Sequence, residues 1–206
     1  MSFAKEVNDL LDKRLVIEGF RRKRGRLMKQ INNETFASIG LGRTSYPDSQ
    51  NSLVSIFVTL GVHFESINNV GGELGVYPEP IDRATLFLPL RYLVPEEARS
   101  DYDFRPDSNN GLTFDRLISD VKEYGYPFFE AVGTIDQAMC TIQLNLYPEL
   151  SGTREFVPLV YIIRGDMRES LRLARATLST MDVKRGNGPR WLQFVSNVEN
   201  RAATGN

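Results

Sequence analysis

Histidine and cysteine are almost absent from this chain, whose 206 residues contain one of each, His63 and Cys140. A structural zinc site needs about four Cys or His ligands and a catalytic one about three plus water, so the usual donors can build neither. A single cysteine also excludes an intramolecular disulfide and a CxxC redox motif. The sequence contains no GxSxG elbow, which removes the usual nucleophile of a serine hydrolase.

Neither sign of charge dominates, and no long apolar run is present. The 25 basic and 26 acidic residues leave a net charge of −1, so no global field favours nucleic acid or an anionic membrane. The longest apolar stretch, residues 53–64, is too short to span a bilayer. Residues 1–20 lack the apolar core of a secretory signal. Together with the lone cysteine, these features predict a cytoplasmic protein that does not enter a membrane.

No motif for a cofactor, a metal or a catalytic centre stands out. The glycines of residues 71–75 fit neither the dinucleotide-binding nor the P-loop spacing. Residues 101–111 are rich in Asp and Asn, but Arg105 and Pro106 break the EF-hand pattern, and turns explain the composition better. A nucleophile pair of His63 and Cys140 would need a cleft and an orienting group, so a hydrogen-bonded histidine and a buried thiol are the simpler expectation. We therefore expect no catalytic residue, no metal and no cofactor.

The apolar periodicity predicts an α+β fold. Residues 3–18 carry apolar side chains at helical spacing. Alternation in the segments that follow, clearest in residues 54–64, predicts an antiparallel sheet of about four to five strands packed against this helix. Residues 65–84 read as a long loop. Residues 86–94 alternate again, and Pro89 places that strand at a sheet edge.

A mostly helical half follows, in which the apolar period changes from two to 3.6. A helix from Thr113 should end at Gly125, and Thr134 with Gln137 forms a capping box for the next helix. Residues 156–163 fit either a short helix or a buried strand.

Two further helices complete the prediction. Asp166 with Glu169 forms another capping box, and Gly188 with Pro189 opens the last helix. The sequence thus predicts a single α+β domain over residues 1–206, whose parts are a helix and sheet in 1–94, a mostly helical half in 112–200 and a frayed tail in 201–206.

A run of basic residues near the amino terminus is the candidate nucleic-acid-binding site. It contains six basic residues and no acid: Arg21, Arg22, Lys23, Arg24, Arg26 and Lys29. Arg-rich strands contact phosphates, but recognition of single strands also uses exposed aromatics, and Phe20 is the one aromatic nearby. The alternative, which we favour, is a solvated edge strand whose charges discourage edge-to-edge pairing.

An acidic, turn-rich segment is the candidate partner-binding surface. Its carboxylates are Glu96, Glu97, Asp101, Asp103 and Asp107. An acidic surface speeds the encounter with a basic protein. The competing interpretation is a solvated loop that binds nothing.

Several amino-terminal motifs support a resemblance to a known family. A leading helix runs into Gly19-Phe20 and the basic strand, and is followed by Ile39-Gly40-Leu41, by residues 58–64 and by Gly125-Tyr126-Pro127-Phe128-Phe129. Over residues 1–145 this pattern resembles a bacterial domain-of-unknown-function family, DUF 4304. The segment 102–104 departs from it, since a tryptophan-rich stretch is expected there. The family has no assigned catalytic residues, so the resemblance transfers none.

Three functional hypotheses follow. The first is a non-enzymatic bacterial protein-binding domain, an immunity protein that neutralises a toxin by direct binding, by analogy with small bacterial α+β domains that lack catalytic groups. The second is a nucleic-acid-associated protein that uses residues 21–29. The third and weakest is an enzyme that relies on carboxylates, Tyr and Arg alone.

Overall fold

The computed structural model describes residues 3–23, 26–46, 53–77, 84–106 and 108–204. The strands in these ranges are β1 (Arg21–Lys23), β2 (Arg26–Gln30), β3 (Thr35–Tyr46), β4 (Leu53–Phe64), β5 (Leu86–Pro89) and β6 (Tyr102–Phe104). The helices are α1 (Phe3–Ile17), α2 (Glu65–Glu73), α3 (Gly111–Asp120), α4 (Tyr126–Ala131), α5 (Ile135–Gln143), α6 (Thr153–Ile163), α7 (Met167–Leu178) and α8 (Gly188–Thr204). Two 3₁₀ turns, Leu90–Tyr92 and Glu96–Ala98, and a π-helical turn, Val121–Gly125, complete the set.

The six strands form one sheet in the order β1-β2-β3-β4-β5, with β6 also paired to β4. The β1–β2, β2–β3 and β4–β6 pairs are antiparallel. Because β3 takes one edge of β4, the short strands β5 and β6 share the other edge. The α+β prediction is confirmed, and β5 lies at the end of the order, as Pro89 indicates.

Strand β4 buries one complete face. Its alternate residues are all less than 5 % exposed: Val54, Ile56, Val58, Leu60, Val62 and Phe64. Helix α1 also follows its predicted stripe, since Val7, Leu11 and Leu15 are buried. Gly19 ends that helix with a φ of +86°, the left-handed conformation that glycine favours.

The chain forms two compact units, each built from two segments. The first comprises Met1–Val62 and Phe87–Gly133, and the second His63–Leu86 and Thr134–Asn206. In the first unit, α1 packs on β1 and β2, and the rings of Phe20 and Phe129 lie 6.3 Å apart.

In the second unit, helices α6, α7 and α8 pack in succession. The rings of Phe64 and Phe156 lie 5.3 Å apart. Each predicted capping box forms its N-cap half: Gln137 N donates to Thr134 Oγ1 at 3.2 Å, and Glu169 N donates to Asp166 Oδ1 at 3.0 Å. The second box lacks its reciprocal bond, because Asp166 N donates to the Tyr161 carbonyl oxygen and the Glu169 carboxylate accepts from Arg172.

The predicted loop at 65–84 is wrong at its start, where residues 65–73 form α2. Ile67, Gly71 and Leu74 are spaced at i, i+4 and i+7 and are buried, so a helical stripe was present in the sequence. Gly71 is part of it because the Tyr77 ring lies where a side chain would go, 2.4 Å from an ideal Cβ. Residues 78–83 of the predicted loop lie outside the described residues.

Other boundaries differ in ways that Pro, Gly and tertiary packing explain. The strand expected over 86–94 stops at Pro89, which has no N–H to continue the ladder, and a 3₁₀ turn follows. Gly125 does not end a helix, because a π-helical turn there leads directly into α4. The missing side chain at Gly125 accommodates Leu60, whose Cδ1 would lie 3.2 Å from a Cβ.

Three further predictions concern residues 156–163, the carboxyl-terminal tail and Cys140. Residues 156–163 belong to a helix, α6, and the last helix continues past Arg201 to Thr204. The expectation of a buried thiol is wrong, because Cys140 is exposed. It lies on the solvent side of α5, whose buried face is formed by Ala138, Met139 and Thr141.

We expect Gly152→Ala to destabilise the protein far more than Gly165→Ala. Both glycines have positive φ, +89° and +81°, so both variants incur about 1 kcal/mol of backbone strain. A Cβ at Gly152 would also lie 2.1 Å from the carbonyl oxygen of Thr85, whereas at Gly165 it would meet nothing within 4 Å. Denaturant unfolding should show an extra loss of about 2 kcal/mol for Gly152→Ala. Equal losses would contradict the close approach.

Candidate functional site: a cleft beside the central strand

A cleft of about 370 Å³ opens beside β4, near the ends of β5 and β6. Strand β6 pairs with Val54 through Ile56, and β5 ends at Pro89, so the two short strands leave part of this edge uncovered. The connection from residue 90 to 101 closes the rest of the rim. The apolar wall is formed by Phe57, Pro89 and Val94. Phe57 is the most open of the three, with 53 % of its surface exposed.

The polar wall of the cleft is held by a tyrosine and an arginine. The Tyr102 hydroxyl donates to Asp120 Oδ2 at 2.6 Å. Arg116 places its guanidinium 5.0 Å from the centre of the Tyr102 ring and donates from Nη2 to the carbonyl oxygen of Asp101 at 2.5 Å. Burial, followed by the hydrogen bond to Asp120 and the charge of that carboxylate, raises the pKa of Tyr102 well above its ordinary value. Tyr102 therefore stays a neutral donor at physiological pH.

Two arginines of the connection also line the cleft. Arg99 donates from Nε to the Val94 carbonyl oxygen at 2.9 Å, which orients its guanidinium. Arg91 lies with its guanidinium carbon 6.0 Å from the centre of the Tyr92 ring. Neither arginine forms an ion pair with the residues that the structure describes. The rim thus carries both signs of charge.

Carboxylates from two distant parts of the chain meet near Tyr124. A hydrogen bond with Glu123, followed by partial desolvation, raises the pKa of Tyr124, and the charges of Glu123, Asp120 and Glu97 raise it further. Glu97 comes from a 3₁₀ turn, whereas Asp120 ends α3 and Glu123 lies in the π-helical turn. Sequence analysis missed Asp120 and Glu123, because nothing in the sequence brings this helix to the acidic segment.

The predicted acidic residues do not all contribute equally. Glu96, Glu97 and Asp101 are exposed, and Asp101 lines the cleft. Asp103 is half-buried on β6, and its carboxylate accepts a hydrogen bond from Ser55 Oγ at 2.6 Å. One of its two oxygens, Oδ1, therefore already has a partner within the protein. Asp107 lies outside the described residues. We define the acidic surface as Glu96, Glu97, Asp101, Asp120 and Glu123.

The basic run is divided between the two faces of the sheet. Arg22 pairs with Leu27 in the register and donates from Nε to Asp12 of α1 at 2.7 Å. Lys29 donates to the Glu18 carbonyl oxygen at 3.1 Å, and its Nζ lies 5.1 Å from the centre of the Tyr126 ring. Both cations therefore hold the sheet to the helices.

The remaining described cations of the run lie on the opposite face. Arg21 pairs with Met28 and Lys23 with Arg26, and paired residues point to the same side of a sheet. Lys23 Nζ lies 5.4 Å from the centre of the Phe36 ring. Phe20, the aromatic that the sequence places nearby, is fully buried. Arg24 lies outside the described residues.

Within the described residues, no group of three or more His, Cys, Asp or Glu side chains could hold a metal ion. None of the described helices has both the length and the apolar character needed to cross a membrane. Comparison with protein-family models, curated proteins and solved structures found no match. The family resemblance over residues 1–145 therefore stays a prediction.

Tyr102 should make the stability of the protein fall at alkaline pH. An unfolded chain releases the tyrosine proton near pH 10, whereas the folded protein retains it, since the folded pKa is raised. The free energy of unfolding therefore keeps this contribution below pH 10 and loses it as the pH rises above that value. Tyr102→Phe has no proton to retain, so its deficit of about 1 kcal/mol at neutral pH should shrink above pH 10.

The measurement is the denaturant midpoint of both proteins between about pH 8 and pH 11. Tyr92→Phe serves as the matched control, because Tyr92 is exposed. The denaturant midpoint of this variant should differ from that of the wild type by the same amount at every pH. A Tyr102→Phe deficit that stays constant across pH 10 would refute the raised pKa.

Proposed function

We propose that this protein is a non-enzymatic binding domain that docks a basic protein partner on the acidic surface and the adjoining cleft. More specifically, we propose an immunity protein, which neutralises a toxin by binding to it directly. The observation that carries it is the convergence of Glu97, Asp120 and Glu123 around one tyrosine. These carboxylates come from separate elements, and the charges of all three act on the same tyrosine.

Electrostatics explains why a basic partner fits this surface. Carboxylates of one sign on neighbouring elements create a negative local field, and a cationic surface is attracted to that field. Attraction between complementary surfaces also steers the partner and accelerates association. The acidic surface should therefore contribute mainly to the rate of encounter and to the choice of partner.

The cleft supplies what charge alone lacks, an apolar anchor point. Protein interfaces combine a desolvated centre, rich in aromatics and arginine, with a polar rim. Here Phe57, Pro89 and Val94 form an apolar wall, and Arg91 and Arg99 lie beside it. An apolar side chain of the partner inserted into this cleft would pack against this wall, with charged groups at the rim.

An enzyme based on carboxylates, Tyr and Arg is the weaker alternative, although the cleft contains those residue types. Catalysis would require a carboxylate or tyrosine that is free to exchange a proton with a substrate. The Tyr102 hydroxyl and the Asp120 carboxylate instead satisfy each other at 2.6 Å. This favours a structural role for the pair.

The acidic surface can be tested by charge reversal once the partner is in hand. The tagged protein is co-expressed with the product of the gene adjacent to its own, and the association rate of the purified complex is measured at low and high salt. Glu97→Lys with Glu123→Lys should slow association about tenfold or more at low ionic strength. The difference should shrink as salt screens the charges.

The matched control is Glu130→Lys with Glu149→Lys, which changes the net charge equally at two exposed positions that are not among the residues of the acidic surface. This control should retain the wild-type rate within about twofold. If both double variants slow association equally, or if neither does, the acidic surface is not the docking site. Absence of any complex with the neighbouring product would remove the toxin-binding form of the proposal.

A further inference from the structure

The face of the sheet opposite the helices carries aromatic and basic side chains together. The register places Arg21 beside Met28, and Met28 beside Ser38, on this face. Alternation along β3 continues it through Gly40 and Gly42. We call this surface the open sheet face. Ser38 is buried, so the accessible part of this face lies at Gly42, Phe57 and the exposed β1 strand. The opposite face of the same strands holds the buried residues Leu27 and Ile39.

Phe57 forms an aromatic platform on the open sheet face. Its ring lies directly over Gly42, where an ideal Cβ would approach it to 2.0 Å. Gly40, the next residue of β3 on this side, faces Thr59 and also has no side chain. The floor beside the Phe57 ring is therefore low and flat. Since 53 % of the Phe57 surface remains exposed, the ring is accessible to a planar ligand.

Cations flank this platform on the side of β1 and β2. Arg21 and Lys23 are exposed and Arg26 is half-exposed, and none of the three forms an ion pair with a described residue. Arg22 and Lys29, by contrast, face the helices and are engaged there. From β4 to β1 the sheet spans three strand spacings, or about 14 Å. Arg21 is aligned with Ser38, four residues along β3 from Gly42, so Arg21 and the Phe57 ring are about 20 Å apart across the sheet.

We propose that the open sheet face binds single-stranded nucleic acid, with a base stacked on Phe57 and phosphates held by Arg21, Lys23 and Arg26. Sheets that bind single strands combine these two elements: an exposed aromatic that accepts the face of any base and a cationic path for the backbone. A duplex fits poorly, because its bases are already stacked. The carboxylate of Asp103, which pairs with Ser55 beyond Phe57, limits the path to the β1–β2 side.

The cations of this site are distinct from the acidic surface that we propose for the protein partner, and Phe57, which also lines the adjoining cleft, is the one residue that the two proposals share. The cations lie at the β1 end of the sheet order, whereas the acidic surface adjoins β6 at the other end. The test therefore uses a different ligand, a fluorescently labelled oligothymidylate of about twelve nucleotides, and measures anisotropy at several salt concentrations. Binding should weaken steeply as salt rises.

Neighbouring arginines provide the matched pair of variants. Arg21→Gln removes a cation from the open sheet face, and Arg22→Gln removes an equal charge from the opposite face. The first should weaken binding several-fold and reduce the slope of log K against log salt by about 0.7, whereas the second should change neither. Equal effects of the two variants would overturn the proposed path.

Phe57 separates stacking from a merely structural role. Phe57→Leu keeps an apolar side chain over Gly42 and should weaken binding about tenfold. Phe57→Trp should restore binding, and its added indole fluorescence should be quenched by the stacked base. The native Trp191 is 3 % exposed and would contribute little to that signal.

The outcomes decide the proposal. The proposal is supported if the protein binds the single strand in a salt-dependent way and more tightly than the matched duplex. This binding should require Arg21 and Phe57, and it should persist in the Glu97→Lys, Glu123→Lys double variant. No binding by the wild type at low salt overturns it, as does a preference for duplex or insensitivity to Phe57→Leu. Melting temperatures of all variants identify any loss that comes from unfolding.

Discussion

The buried face of β4 is the constraint on which the rest of the structure depends. Six alternate side chains from Val54 to Phe64 are withdrawn from water, and a shift of one residue would exchange them for Ser55, Phe57 and Thr59. This fixes the register of the central strand and thereby the position of its neighbours. Both edges of β4 are used, one by β3 and the other by β5 and β6. The cleft lies along the second edge. Neighbouring residues of a strand point to opposite faces, so burial of Ile56 and Val58 on one face leaves Phe57 on the other, where it is exposed.

The order of the strands converts a chain of almost neutral net charge into a surface with two charged regions. Strand β1 begins the order with Arg21 and Lys23 exposed, and β6 lies on the far side of β4 beside Asp101 and the turn that carries Glu97. A net charge of −1 therefore conceals local fields of opposite sign. Each region also has an apolar or aromatic element beside it, which is why both are proposed as binding surfaces.

The sequence predicted some of the residues of these two surfaces but not others. Glu96, Glu97 and Asp101 were found because they are close in sequence, but Asp120 and Glu123 were missed because only packing brings α3 to them. The basic run was treated as a single patch, although a period of two would already place Arg21 and Arg22 on opposite faces of a strand. The aromatic expected to accompany it, Phe20, is buried, and Phe57 and Phe36 from other strands lie on that face instead.

The sequence by itself determined the α+β class, the amphipathic first helix, the buried face of β4 and the N-caps at Thr134 and Asp166. These depend on residues within a few positions of one another, where periodicity, caps and composition act locally. Tertiary structure decided the strand at 102–104 and the placement of Glu97, Asp120 and Glu123 near one tyrosine. Such features depend on contacts between residues distant in the chain, and a local pattern holds no information about which distant surface will cover it.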